Sequence, residues 1–161
     1  MPLVIGVDPG GTTGMAALFV SDRSKIINSY YAQLRGDESF VDTIVRALCS
    51  QWADVTDIHL AVESFVVSSR AGRSAHAGSG KQARDIIALL KGIGRISGSY
   101  VERPAVVVKR WATNQRLEAA GILGDTTGMQ HARDASRHAL YAAVRAGLLA
   151  DPLSSKQTSA S

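Results

Sequence analysis

The sequence predicts an α/β domain: a mixed five-stranded sheet with helices on both faces. Two observations lead to it. Three strand-like segments open the chain on short connections, and strand-like and helical segments then alternate to the end. A meander followed by such alternation combines antiparallel hairpins with parallel crossovers, which needs helices on both faces.

The first strand is Leu3 to Asp8, apolar apart from its last residue, which suits the middle of a sheet. Pro9-Gly10-Gly11-Thr12-Thr13-Gly14 is a turn, and Met15 to Val20 is the second strand. Ser21-Asp22-Arg23-Ser24 turns the chain into a third strand, Lys25 to Leu34. A helix begins at Asp37, because Phe40, Ile44, Leu48 and Trp52 recur every four residues and Asp37 and Glu38 suit its positive end. Ile58 to Glu63 is the fourth strand, and Ser64 to Gly80, rich in Ser, Gly and Arg, is a long loop. Ile86, Ile87, Leu89, Leu90 and Ile93 give Lys81 to Ile96 an amphipathic helical pattern. Ala105 to Val108 is expected as the fifth strand, Arg110 to Ala120 as a short helix stopped by Gly121, and Gln130 to Leu149 as the last helix, ended by Pro152. Residues 1–150 then form one domain, and 151–161 a disordered tail.

At 161 residues and 45% hydrophobic, the chain can bury a real core. No apolar run approaches the roughly 20 residues needed to span a bilayer, so no membrane partner is expected. The start lacks a signal peptide's charged region and cleavage site, and the single Cys49 can form no internal disulfide. These features point to a cytoplasmic setting, the host's if the chain is phage-encoded. Charge is unevenly spread. Between residues 65 and 116 ten basic residues face only Asp85 and Glu102, a local +8 in a chain of net +4, so the rest carries −4. A basic centre in an otherwise acidic chain suggests a polyanion-binding face; ordinary solvated side chains account less well for +8.

Asp8 and Glu63 each end an apolar strand. If the strands are neighbours, both carboxylates emerge at one sheet edge, where their repulsion is relieved by a hard cation such as Mg²⁺ or Mn²⁺. Taken alone, Asp8 reads better as the start of an Asp-Pro-Gly turn, and its pairing with Glu63 tips the reading toward a metal. His131 and Asp134 share a face of the last helix, with a core stripe of Leu140, Val144 and Leu148 opposite. Packing that stripe on the sheet would project His131 and Asp134 to the same edge. His131 also fits a helix cap or surface residue. His138, further along that face, reads as a partly buried histidine bonded to a neighbour.

Gly6-Val7-Asp8-Pro9-Gly10, Ala61-Val62-Glu63-Ser64-Phe65 and His131-Ala132-Arg133-Asp134-Ala135 together resemble the RuvC family of Holliday junction resolvases, in the RNase H-like superfamily. The resemblance runs from residue 3 to about 149 in the same element order. It implies an RNase H-like fold and a structure-selective endonuclease hydrolysing phosphodiester bonds with two Mg²⁺ ions, for which Mn²⁺ substitutes. Asp8 matches the family's first-strand Asp and would bridge the ions. Glu63 and Asp134 match its later acids and would hold one each. His131 stands at a position more often acidic, as metal ligand or proton acceptor. Backbone phosphates would be met by Arg70, Arg73, Lys81, Arg84 and Lys109. Phe65 could stack on an unpaired base or simply continue the strand. Lys81 to Arg84 is similar to the helix start after the family's substrate loop, and Val108-Lys109 to its basic residue after the fifth strand. Residues 110–129 depart from the better-known bacterial members and suggest a phage-type branch. A four-way junction is nearly two-fold symmetric, so a homodimer is expected, with the helix from Lys81 to Ile96 as candidate interface.

Three rivals stand beside this. A sugar-kinase or actin-type nucleotide module shares the look of residues 8–14, but 161 residues cannot supply its two domains. A flap, branched-DNA or RNA–DNA hybrid nuclease would use the same acids. A non-catalytic junction-binding protein would need the basic centre alone.

Overall fold

A computed structural model describes residues 1–35, 41, 57–65 and 77–154. The helix expected from Asp37, most of the loop after Glu63 (with Arg70 and Arg73), Cys49 and residues 155–161 lie outside the described residues.

The strands are β1 (Pro2–Asp8), β2 (Thr13–Val20), β3 (Ile26–Leu34), β4 (Asp57–Glu63) and β5 (Gly98–Arg103). They form one five-stranded sheet in the order β3-β2-β1-β4-β5. The opening meander is antiparallel, while β4 runs parallel to both β1 and β5. The described helices are α1 (Ala77–Ser97), α2 (Ala105–Trp111), α3 (Asn114–Ala119), α4 (Ile122–Asp125) and α5 (Gln130–Arg145).

Strand alternation divides the core into two layers. Leu3, Ile5, Val7, Met15, Phe19, Leu60 and Val62 point to one face and pack with Ile86, Ile87, Leu90 and Ile93 of α1. Val4, Ala16, Leu18 and Ala61 point to the other, where Ala135, Ala139, Leu140 and Ala143 of α5 meet them. The α/β architecture with helices on both faces is therefore as the pattern predicts.

Three details differ from the sequence reading. Ala105 to Val108 is helical, not a strand. Pro104, at φ −63°, precedes the first turn of α2, which buries Val108 and leaves Val106 and Val107 exposed. The fifth strand is instead Gly98–Arg103, whose Tyr100 and Val101 feed opposite core layers. Secondly, the stripe of α5 against the sheet is made largely of alanines, with Val144 and Leu148 only partly buried. Thirdly, α5 ends before Pro152. Gly147, at φ +74°, donates to the Val144 carbonyl while Leu148 N–H donates to the Ala143 carbonyl, a glycine stop that satisfies the last turn.

The chain beyond α5 stays folded against the domain as far as Ser154. Arg116 Nε and Nη2 each donate to the Asp151 carboxylate at 3.0 Å, and the Arg116 guanidinium lies 4.7 Å from the Trp111 ring centroid. Among the described residues no helix is long and apolar enough to cross a membrane.

Candidate active site at the sheet edge

Register brings the first two acids together. Val7 of β1 pairs with Val62 of the parallel strand β4, so Asp8 and Glu63 leave neighbouring strands at the same end. Asp8 is also opposite Gly14 of β2.

Two glycines let α5 reach this edge. A Cβ on Gly14 would lie 2.0 Å from the His131 carbonyl oxygen, and one on Gly6 would lie 2.0 Å from that of Ala135. The helix backbone thus rests directly on β1 and β2, with its N-terminal turns over the strand ends. Gln33 of β3 fixes that end, its Oε1 accepting from His131 N–H at 2.7 Å. The His131 ring does not cap its own helix, since Nδ1 lies 2.8 Å from Asp8 Oδ2. When Asp8 is ionised only the ring can supply the proton of this bond.

Burial, first of all, raises the Asp8 carboxyl above its ordinary range; the His131 hydrogen bond opposes the rise, and the charges of Glu63 and Asp134 add to it. Asp8 is thus partly desolvated and feels both other acids.

Glu63 faces a different histidine. His138, on α5 and only 2% exposed, holds Nε2 3.3 Å from Glu63 Oε2. The two atoms do not meet in hydrogen-bonding geometry, and both are buried without another partner. The sequence reading of His138 as a buried histidine beside a neighbour agrees with its place, but not with a satisfied bond.

Asp134 is neutralised instead. Lys109 Nζ donates to its Oδ2 at 2.8 Å, and Arg137 Nη1 donates to its Oδ1. Arg137 is further held by the Ala112 carbonyl and Asn114 Oδ1. Lys109, expected as a phosphate contact, therefore sits inside the acid cluster. Sequence reasoning missed Arg137, although its i+3 spacing from Asp134 on a helix is a signal that could have found it.

Among the described residues no three His, Cys, Asp or Glu side chains converge closely enough to hold an ion as they stand. The donor chemistry nevertheless fits a hard divalent cation in part. Asp8 is desolvated among like charges, and Glu63 Oε2 is a buried oxygen with no hydrogen-bond partner. Asp134 fits only when Lys109 or Arg137 releases one of its oxygens.

The other expected contact residues flank the edge. Phe65 is partly exposed, lies against Gly80 at the start of α1, and has the Arg84 guanidinium 5.9 Å from its centroid. It lines a cavity of about 410 Å³ with Glu63, Pro104 and the exposed Val106. Lys81 is exposed and pairs with Asp85 one turn along α1 at 2.8 Å. The apolar stripe of α1 is consumed by the sheet, so a dimer interface there would have to use its outer face, around Arg84, Ala88 and Lys91.

The chain matches no family model and no curated protein. Among solved structures it is similar to T. thermophilus RuvC in complex with Holliday junction substrate, at a TM-score of 0.57 and 16% identity. The likeness covers 91% of this chain and 97% of that one. At this identity it is a likeness of fold.

Proposed function

We propose that this protein is a structure-selective DNA endonuclease of the Holliday junction resolvase type, acting on branched DNA with divalent cations. The observation that carries this reading is the gathering of Asp8, Glu63, His131 and Asp134 at one sheet edge, from β1, β4 and α5. The shared fold of a protein solved with a Holliday junction supports it.

Asp8, Glu63 and Asp134 would hold two Mg²⁺ ions, or Mn²⁺ in their place, with Asp8 shared because it feels both other acids. Bound there, such ions polarise a phosphoryl group and lower the pKa of water. The protein does the rest. His131, already bonded to Asp8, orients that carboxylate and is placed either to accept a proton or to complete the metal sphere. His138 lies buried beside Glu63, its Nε2 3.3 Å from Oε2. Lys81, Arg84 and Lys109, with Arg70 and Arg73, contact backbone phosphates, and Phe65 offers an exposed ring beside Glu63 for an unstacked base. A homodimer would match the symmetry of a four-way junction. Flap or RNA–DNA hybrid substrates would call on the same acids.

The clamp on Asp134 favours a second reading, a junction-binding protein that does not cut, because two cations already satisfy that acid. One assay separates them. Four-way, three-way, flap and linear DNA, together with an RNA–DNA hybrid, are incubated with and without Mg²⁺. Metal-dependent cutting of branched DNA, abolished in Asp8→Asn, Glu63→Gln and Asp134→Asn while binding persists, is the expected result. His131→Ala should lose most activity and His131→Asp keep part of it. Binding without cutting at any metal concentration establishes the second reading.

A further inference from the structure

Among the described residues, a cationic cavity lies behind Asp134. It has a volume of about 600 Å³ and lies between α2, the start of α3 and the N-terminal turns of α5. Lys109, Arg133 and Arg137 line it together with Asn114, and Asp134 is the one acid in its wall. Three cations against one carboxylate leave a local charge of +2.

These cations are set in place by the fold. Arg133 Nη2 donates to the Thr126 carbonyl at 3.0 Å, and its Nε to Thr126 Oγ1 at 3.3 Å. Arg137, with its side chain 15% exposed, is anchored on Ala112 and Asn114 as well as Asp134. The first turn of α5 borders the same cavity at Met129 and Gln130; Met129 supplies no side-chain cap, and Gln33 takes the His131 N–H. A rigid concavity with fixed guanidinium groups and a helix N-terminus favours a tetrahedral oxyanion over water.

We propose that this cavity is a subsite for one backbone phosphate of the bound DNA strand, held by Arg133, Arg137 and Lys109. That the anion is a DNA phosphate rests on the nuclease reading. The position has a second consequence, since Lys109 and Arg137 each face both the cavity and Asp134. A phosphate drawing on these cations loosens their hold on the carboxylate, so filling the subsite and loading Asp134 with a divalent cation favour each other.

The test uses Arg133→Gln, Arg133→Lys and Arg137→Gln in the full chain, each checked by thermal unfolding. Four-way junction binding is measured against salt in Ca²⁺. Arg133→Gln should weaken binding roughly fivefold to tenfold and lower the log–log salt slope by about 0.9, while Arg133→Lys keeps most of both. Ca²⁺ binding to the DNA-free protein, by calorimetry, should be at least about fivefold tighter in Arg137→Gln, because one cation no longer competes for Asp134. A folded Arg133→Gln with the wild-type slope overturns the subsite, and equal Ca²⁺ affinity in Arg137→Gln overturns the coupling. The two readings fail separately. If Asp8→Asn cuts normally while the Arg133→Gln slope falls, the nuclease site is wrong and the phosphate cavity stands. If Asp8→Asn is inert while the slope is unchanged, the reverse holds.

Discussion

Two carboxylates in this chain are pushed in opposite directions, and their pH signatures should differ in sign. Burial raises Asp8, so the native state holds its proton more tightly than the unfolded chain does, and ionisation works against folding. Asp8→Asn should therefore raise Tm at neutral pH in a chelator, and the advantage should shrink to nothing as pH falls below the ordinary value of 3.8. A Tm equal to wild type at pH 7 would show that His131 already compensates the buried charge. For Asp151 the Arg116 hydrogen bond is the main cause, and it lowers the carboxyl. Its stability contribution is present above the ordinary value and is lost as pH falls through the lowered one. Asp151→Asn should cost up to about 1 kcal/mol at pH 7, the range for a partly exposed pair, and nothing in strong acid. Thermal unfolding across pH reads both. At this scale the sequence was informative where chemistry follows from position. Acids ending apolar strands and a helix-face pair suggested Asp8, Glu63, His131 and Asp134 as a group. In the fold Asp8 meets His131 and feels Glu63 and Asp134, but no three of them converge as an ion site. The clamp of Lys109 on Asp134 was not legible, because 25 residues separate them and only tertiary packing closes the gap. Nor was the meeting of Glu63 with His138, which needs the helix crossing to be known.

At the scale of elements, the contact between α5 and the sheet is set by what is missing. Gly6 and Gly14 have no side chain where α5 lies, and the helix answers with Ala132, Ala135 and Ala139. Gly14→Ala drives a methyl into the His131 carbonyl and Gly6→Ala into that of Ala135, so backbone must move. Each should destabilise by about 1–3 kcal/mol, several degrees of Tm for a domain of this size. Gly11→Ala, with open space at its Cβ, should change Tm by less than about 1 °C and serves as the control. A wild-type Tm in Gly14→Ala would mean that α5 sits further from the sheet. Legibility here depended on period and context. The meander, β4 and α1 follow their apolar spacing, whereas α5 meets the sheet largely on alanines. The run Ala-Val-Val-Val failed as a strand because β-branched content is a weak preference that packing overrides. Pro104 sets the chain into a helical turn, and one buried valine with Ala112 holds it.

Across the whole molecule, the described part of the basic excess of residues 65–116 does not form one uniform face. Lys91 and Arg116 are committed to Glu102 and Asp151, and Lys109 to Asp134. Lys81, paired with Asp85, and Arg84, beside the Phe65 ring, lie exposed on α1. Lys81→Glu with Arg84→Glu should therefore lower the salt slope of junction binding by about 1.8 if both meet phosphates. An unchanged slope would turn that face away from DNA. The overall α/β plan could be read from the order of patterns alone, but how the charges are shared could not, because ion pairs between distant segments leave no local trace. The order of the acids along the chain has a consequence in time. Asp8 lies on the first strand, Glu63 on the fourth, and Asp134 on the last described helix. A chain leaving the ribosome exposes its first two acids long before α5 exists to bring the third. On the proposed reading, a copy cut short before α5 cannot cut the cell's DNA, and the cutting edge appears only once α5 has been made.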